Sequence, residues 1–114
     1  MNFECIAGDL SKNSFGMSKK AWHNLRNQVH HVIHCAGEVN MVKSFTELKK
    51  SNFETTKNIS AFSLGKHLSY ASTLSVFVSS DLINKDHDYE CLESNRLTGM
   101  QYMFGGYALS LIHI

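Results

Sequence analysis

Three short apolar runs stand out in the pattern of hydrophobic and polar positions along the chain. The first two, near residues 3–7 and 31–35, stop at Gly8 and Gly37. The third, near residues 67–72, begins as an apolar run and changes abruptly to hydroxyl side chains. Runs of this length, bounded by glycine or polar residues, are typical of buried strands. The pattern therefore predicts three strands.

Two stretches between these runs repeat apolar residues at every third or fourth position, as one face of a helix does. In the first stretch, Ser18 is a candidate N-cap for a helix over residues 18–28. In the second, Ser44 or Thr46 starts a helix over residues 45–64, and Gly65 ends it. The inward stripe predicted for this second helix comprises Phe45, Leu48, Asn52, Thr56, Ile59 and Phe62.

Strands and helices alternate in this prediction, and that order is typical of parallel βαβ units. The chain is therefore expected to be an α/β protein with a parallel sheet and flanking helices. From Val78 to Gly106 the periodicity is lost and the sequence turns polar and acidic, which predicts a long surface loop. A further helix is expected to open at Gly105-Gly106.

The composition indicates one small folded domain. The chain has 114 residues, of which 43% are hydrophobic and 18% charged. The formal net charge of +1 gives no electrostatic reason to expect a nucleic acid or an anionic membrane as partner. The chain contains no apolar run as long as a membrane span, and no secretory signal is recognised at its start. We therefore expect a cytoplasmic protein.

Cysteine and histidine residues give little reason to expect a metal or a disulfide framework. The three cysteines are widely spaced and odd in number, which favours a reducing compartment: Cys5, Cys35 and Cys91. The seven histidines contain one His-x-x-x-His pair, His30 and His34, but it falls on a predicted strand rather than on a helix, and no Cys-x-x-Cys pair is present. Four candidate ligands share one predicted strand, where alternate side chains point to opposite faces: His30, His31, His34 and Cys35. We therefore predict no metal site.

Hydroxyl side chains close the third predicted strand. Ser72 and Thr73 follow its apolar run directly. In an open parallel sheet, ligands bind outside the carboxyl ends of the strands. These two hydroxyl groups are therefore candidates for a binding or catalytic site.

Five short motifs carry a resemblance to a known family. In chain order they are Gly8-Asp9-Leu10-Ser11, Val32-Ile33-His34-Cys35-Ala36-Gly37-Glu38-Val39-Asn40, Asn52-Phe53-Glu54-Thr55-Thr56, Ser72-Thr73-Leu74-Ser75-Val76-Phe77-Val78-Ser79 and Gly105-Gly106-Tyr107-Ala108-Leu109-Ser110. Together they resemble the terminal thioester reductase domains of nonribosomal peptide synthetases and carboxylic acid reductases. These domains belong to the extended short-chain dehydrogenase/reductase superfamily. The resemblance implies a partial Rossmann-like fold, with residues 1–114 forming the central fragment of a single NAD(P)-binding reductase domain.

The resemblance also implies an activity. Such reductases take an acyl or peptidyl thioester from a phosphopantetheinyl carrier protein and reduce it with NADPH to an aldehyde or an alcohol. By resemblance, Thr73 is the catalytic hydroxyl and Tyr107 the catalytic acid. These roles are physically reasonable, because hydride attack on a carbonyl creates an alkoxide that needs a hydrogen-bond donor and then a proton.

The resemblance assigns further residues to the cofactor. Asp9 and Leu10 would lie near its adenine. Ala36 and Gly37 would bring the backbone close to the dinucleotide, and Ser72 would add a hydroxyl. Asn52 is the polar member of an otherwise apolar helix stripe, and the resemblance implies that it braces the active site.

Two departures from the family pattern change what this chain is expected to do. The catalytic lysine of the family stands four residues after the tyrosine, a position occupied here by Leu111. The Gly-x-x-Gly-x-x-Gly turn that binds the cofactor pyrophosphate is absent, and both ends of the chain look cut. We therefore expect weak NADPH binding and no activity from this chain alone.

Two alternatives remain open at this point. The chain could derive from another extended dehydrogenase/reductase, such as a fatty acyl-CoA reductase or a sugar epimerase. It could also be a catalytically inactive α/β interaction module, which the missing glycine turn and Leu111 favour.

Overall fold

The computed structural model describes residues 3–73 and 106–112 of the chain. Its regular elements, in chain order, are α1 (Lys19–Gln28), β1 (His31–His34), α2 (Phe45–Leu48), a π-helical segment (Lys49–Glu54), α3 (Thr55–Phe62), β2 (His67–Tyr70) and α4 (Gly106–Ile112). The surface loop predicted from Val78 to Gly106 lies outside the described residues, except for Gly106, which begins α4. No helix in the described part of the chain is long and apolar enough to cross a membrane.

The two strands pair in parallel, as predicted. Residues His31 and His67 face each other at one end of the ladder, and His34 and Tyr70 at the other. A parallel pair needs a long crossover connection, and the helices between residues 45 and 62 provide it. The α/β class and its parallel sheet are therefore confirmed.

The strand predicted near residues 3–7 is wrong. This segment has no regular structure, and the side chains of Phe3 and Ile6 are 84% and 47% exposed. An apolar run alone does not make a strand, because a strand also needs a neighbour for its ladder hydrogen bonds. Within the described residues, β1 pairs only with β2.

Both predicted helices form, and their ends use the predicted caps. The hydroxyl of Ser18 accepts a hydrogen bond from the backbone N–H of Ala21 at 3.2 Å. Ser44, rather than Thr46, caps α2, and its hydroxyl and Glu47 form a reciprocal capping box. α3 ends at Phe62, and the turn that follows it contains Gly65, whose φ of 78° is in the left-handed region that favours glycine.

The helix from residue 45 to residue 62 contains a feature that its periodicity did not predict. Between α2 and α3, residues Lys49–Glu54 adopt π-helical hydrogen bonding. Such wider turns are rare and frequently occur at functional sites. The predicted inward stripe is nevertheless buried, except for half-buried Phe45: Leu48, Asn52, Thr56, Ile59 and Phe62.

The described residues group into two compact units. One comprises residues 3–36 and 54–71, and the other comprises residues 37–53, 72–73 and 106–112. The first unit contains the sheet and an apolar core in which the Phe15 and Phe62 rings lie 5.1 Å apart, with Trp22 edge-on to Phe62 at 5.6 Å. The second unit contains α2 packed against α4.

Candidate active site

The predicted site residues divide between the two units. Both predicted catalytic residues, Thr73 and Tyr107, belong to the second unit, together with three of the predicted cofactor residues: Gly37, Asn52 and Ser72. The other three predicted cofactor residues belong to the first unit: Asp9, Leu10 and Ala36. Each group is described here by its own contacts.

Asn52 is the centre of the second unit. Its side chain is 1% exposed and lies in the π-helical segment. The carbonyl oxygen Oδ1 accepts a hydrogen bond from the backbone N–H of Glu38 at 2.7 Å, and Nδ2 donates to the Glu38 carbonyl at 3.0 Å. Asn52 therefore binds both the backbone N–H and the backbone carbonyl of Glu38, four residues after the end of β1.

The second N–H of the Asn52 amide reaches the helix of Tyr107. It donates to the hydroxyl of Ser110 at 2.8 Å, and that hydroxyl donates to the Tyr107 carbonyl at 2.7 Å. Ser110 is completely buried, and Tyr107 is 8% exposed. A chain of hydrogen bonds thus joins the loop after β1 to the backbone of the predicted catalytic acid.

Gly106 lets α4 approach the start of α2 unusually closely. A Cβ atom built at Gly106 would lie 2.2 Å from the backbone nitrogen of Phe45 and from the carbonyl carbon of Ser44. It would also lie 2.5 Å from the Lys43 carbonyl oxygen. Only glycine fits at this position without a backbone shift, so Tyr107 follows a tightly fixed residue.

The loop between β1 and α2 is held by its own polar contacts. The side chain of Asn40 accepts hydrogen bonds from the backbone N–H groups of Val42 and Lys43, both at 3.0 Å. An ion pair joins the Lys43 ammonium to the Glu38 carboxylate. This contact lowers the pKa of Glu38 and raises the pKa of Lys43.

In the first unit, Asp9 anchors the loop that carries two predicted cofactor residues. Its carboxylate accepts hydrogen bonds from the Ser11 hydroxyl at 2.6 Å and the Ser11 backbone N–H at 3.0 Å. These bonds, with a smaller contribution from Lys12, hold the pKa of Asp9 below its usual value. Leu10, the next residue, lines an apolar cavity of about 440 Å³ with Val32 and Phe62 among its other walls.

His34 fixes the end of β1 in the same unit. Its Nδ1 lies 3.4 Å from the backbone N–H of Ala36, which donates to it, and its Nε2 lies 2.9 Å from the Thr56 hydroxyl. The ring stacks on Tyr70 at 5.2 Å. These hydrogen bonds assign the imidazole proton to Nε2, and burial lowers the pKa of His34.

The remaining predicted residues lie at the expected element ends. Ser72 is exposed and Thr73 is half-buried, two and three residues after the end of β2. Leu111, which occupies the position of the family lysine, is 5% exposed. A buried leucine supplies neither a charge nor a hydrogen bond at this position.

The backbone that follows β1 leaves space for the dinucleotide that the resemblance implies. The backbone at Ala36 and Gly37 is exposed, and a Cβ at Gly37 would meet only the Asn52 Oδ1, at 3.9 Å. A ligand can therefore approach this backbone closely. The sequence contains no glycine-rich turn for a pyrophosphate, so the fit does not extend to that group.

Sequence reasoning singled out Asn52 but missed its hydrogen-bond partners Ser110 and Glu38. A signal was available for both, since each falls within one of the five motifs. Polar residues at helical or strand positions that are buried need partners. Those partners depend on contacts between distant segments, which no local pattern encodes.

Comparison with known proteins gives three kinds of match. The family model described as "Male sterility protein" matches residues 1–106. The L-2-aminoadipate reductase of Saccharomyces cerevisiae is 33% identical over 119 residues, covering 96% of this chain and 8% of that protein. The carboxylic acid reductase of Segniliparus rugosus is 32% identical over 78 residues, covering 66% of this chain and 7% of that protein.

A solved structure shows the same fold. The terminal R domain from the myxalamid PKS-NRPS biosynthetic pathway matches with a TM-score of 0.75 and 24% identity, over 92% of this chain and 26% of that chain. The fold of this chain is therefore the Rossmann-like fold of a terminal R domain. The chain spans less than a tenth of the length of these two curated reductases and about a quarter of the R-domain chain.

Proposed function

The chain belongs to the male sterility protein family of NAD-binding domains, and from that premise we propose that it is the central part of an NADPH-dependent thioester reductase domain. In this proposal residues 1–114 form one segment of a single reductase domain. The substrate is an acyl or peptidyl thioester on a phosphopantetheinyl carrier protein in the cytoplasm. The product is an aldehyde, or an alcohol after a second round.

One observation carries the proposal. Asn52, singled out from its motif alone, is buried and hydrogen-bonded both to the Glu38 peptide beyond β1 and to the helix of Tyr107. Leaving a buried amide without hydrogen-bond partners costs free energy. The partners of both N–H groups and of the oxygen therefore fix the position of the Asn52 side chain. Its use here supports a site in which Tyr107 is held in a defined position.

The chemistry requires two groups from this chain. When bound, the reduced nicotinamide supplies a hydride to the thioester carbonyl carbon. Thr73 donates a hydrogen bond to the carbonyl oxygen as negative charge develops on it. Tyr107, protonated near neutral pH, gives its phenolic proton to the same oxygen. The resulting hemithioacetal then loses the pantetheine thiol and leaves the aldehyde.

The test is NADPH oxidation with a carrier-bound or coenzyme A thioester. It uses a polypeptide in which this sequence stands together with a glycine-rich turn and a lysine at the position of Leu111. We expect Tyr107→Phe to reduce turnover by roughly 100- to 10,000-fold, because it removes a general acid. Thr73→Ala should also abolish most turnover, and both variants should bind NADPH nearly as well as the parent.

The matched control is Tyr70→Phe, which removes a phenolic hydroxyl outside the proposed chemistry. This ring stacks on His34 in the first unit. Turnover close to normal in the Tyr107→Phe enzyme would contradict the assignment of Tyr107 as the acid. The reductase proposal for these residues would fail with it.

A further inference from the structure

We propose that Ser110 is a positioning residue for Tyr107. Its hydroxyl bonds both to the buried Asn52 amide and to the Tyr107 carbonyl, and so holds the Tyr107 backbone in a fixed position relative to Asn52. The proposal deepens the function proposed above and rests on it, since it assigns the acid role to Tyr107. Ser110 itself is not expected to touch substrate or cofactor. It acts through the residue three positions before it.

The direction of each hydrogen bond follows from the number of protons available. Ser110 has one hydroxyl proton, which goes to the Tyr107 carbonyl because that oxygen can only accept. The Ser110 oxygen must then accept from Asn52 Nδ2, which is 2.8 Å away. A flipped Asn52 amide would place its oxygen against the Glu38 carbonyl, so the amide has one permitted orientation. The Glu38 peptide, Asn52, Ser110 and Tyr107 therefore form a chain of defined polarity.

Burial makes this chain difficult to replace with water. Ser110 has no exposed surface and Asn52 has almost none. If the Ser110 hydroxyl is removed, one N–H of Asn52 loses the one partner that it has among the described residues, in a dry environment. The amide and the first turn of α4 must then rearrange together.

The start of α4 has no room to absorb such a rearrangement. Gly106, immediately before Tyr107, already lies against the backbone of Ser44 and Phe45, where even a Cβ atom would not fit. A change in the hydrogen bond to the Tyr107 carbonyl therefore turns the Tyr107 peptide rather than moving the helix as a whole. The phenol, at the far end of the side chain, moves further than the backbone does.

A helical serine commonly donates to the carbonyl three residues before it without any such role. Ser51 provides that comparison in the same unit. Its hydroxyl donates to the Leu48 carbonyl at 3.2 Å, with the same spacing along the chain, and it is half-buried. Ser51→Ala therefore removes the same kind of local bond, together with a contact to the Glu38 carboxylate, without breaking the link from Asn52 through Ser110 to Tyr107.

The experiment uses the 114-residue chain labelled with 3-fluorotyrosine and observed by fluorine NMR. The chain has four tyrosines, and Tyr107→Phe assigns the resonance of Tyr107. We expect Ser110→Ala to shift the Tyr107 resonance and leave the other three unchanged. Asn52→Ala should shift the same resonance, and the double variant should shift it no further than either single variant. Ser51→Ala should leave it in place.

A Tyr107 resonance that stays in place in Ser110→Ala, or shifts that add in the double variant, would overturn the proposal. The fluorescence of Trp22, in the other unit, reports whether each variant is folded. If Ser110→Ala does not fold, Ser110→Cys takes its place, since it keeps nearly the same volume and a weaker donor. We then expect a smaller shift of the same resonance, and no shift would be contrary to the proposal.

A second measurement separates this proposal from the proposed function. In the complete reductase, Ser110→Ala should lower kcat by roughly tenfold to a hundredfold with KM nearly unchanged, because misplacing a reacting group costs rate more than affinity. If the parent enzyme does not reduce thioesters but the NMR shift is present, the reductase function fails and the coupling stands. If the parent is active and Ser110→Ala is equally active, the positioning role fails and the reductase function stands.

Discussion

At the scale of single residues, buried polar side chains determine where the candidate site is held. Asn52 and Ser110 meet in one unit, and His34 and Thr56 meet in the other. Every one of these side chains is less than 9% exposed, and each has a hydrogen-bond partner. Since burial without a partner is costly, their presence restricts the local structure to arrangements that keep these pairs together.

His34 makes stability depend on pH in a predictable direction. Burial lowers its pKa below the usual value of 6.5, so the unfolded state binds the proton more readily than the folded state. Its contribution to stability is therefore complete above pH 6.5 and is lost as the pH falls through the lower folded pKa. Among the described residues, the polar groups that contact the ring are the Thr56 hydroxyl, the Ala36 N–H and the phenol ring of Tyr70.

We expect the free energy of unfolding to fall in the parent chain as the pH drops below 6.5, and to fall less in His34→Gln. Urea unfolding at a series of pH values measures this difference. His30→Gln changes an exposed histidine next to the same strand. In this variant the free energy of unfolding should depend on pH as it does in the parent. If the free energy of unfolding depends on pH identically in His34→Gln and the parent, His34 does not couple protonation to folding.

At the scale of elements, α4 depends on the turn that starts α2. The capping box of Ser44 and Glu47 fixes this turn, and Gly106 packs directly on its backbone. The π-helical segment then presents Asn52 to the same helix through Ser110. Two neighbouring contacts therefore define the first turn of α4, which contains Tyr107.

We expect Gly106→Ala to destabilise the second unit, because its Cβ would meet three backbone atoms that cannot rotate away. The cost should be roughly 2–4 kcal/mol, in the range of severe overpacking. Urea unfolding measures this cost, and circular dichroism reports any loss of helix. Gly37→Ala is the matched control for space, since its Cβ would make only an ordinary contact at 3.9 Å. Equal stability of the two variants would show that α4 can move away from the turn freely.

At the scale of the whole molecule, the chain holds only some of the residues that a dinucleotide needs. The resemblance assigns Asp9, Leu10, Ala36 and Gly37 to the cofactor, whereas the sequence has no glycine-rich turn for its pyrophosphate. Helix N-terminal N–H groups at such a turn provide the anion site of this architecture. The sequence therefore lacks the anion site that this architecture uses for the pyrophosphate.

We expect the isolated chain to bind NADPH weakly or not at all. Titration calorimetry, with Trp22 fluorescence as a second readout, measures the affinity. Leu111→Lys should not restore tight binding, because a lysine at that position does not replace the pyrophosphate site. Binding in the micromolar range by the unmodified chain would contradict the prediction and would mean that other residues hold the phosphates.

The sequence by itself determined the features that depend on neighbouring residues. The helix of residues 19–28 with its cap at Ser18, the stop at Gly65 and the strands at 31–34 and 67–70 all follow from local periodicity, capping and backbone conformation. The motif resemblance likewise identified the family, because the order of residue types along the chain is itself the evidence.

Only the tertiary structure decided which distant segments meet. It left residues 3–7 without a ladder partner in the described part of the chain, although their pattern is that of a strand. It paired Asn52 with Ser110 across 58 positions and placed Gly106 against the backbone of Ser44. Hydrogen bonds and close packing between such segments depend on the path of the whole chain, whereas helix caps and hydrophobic periodicity are set within a few residues.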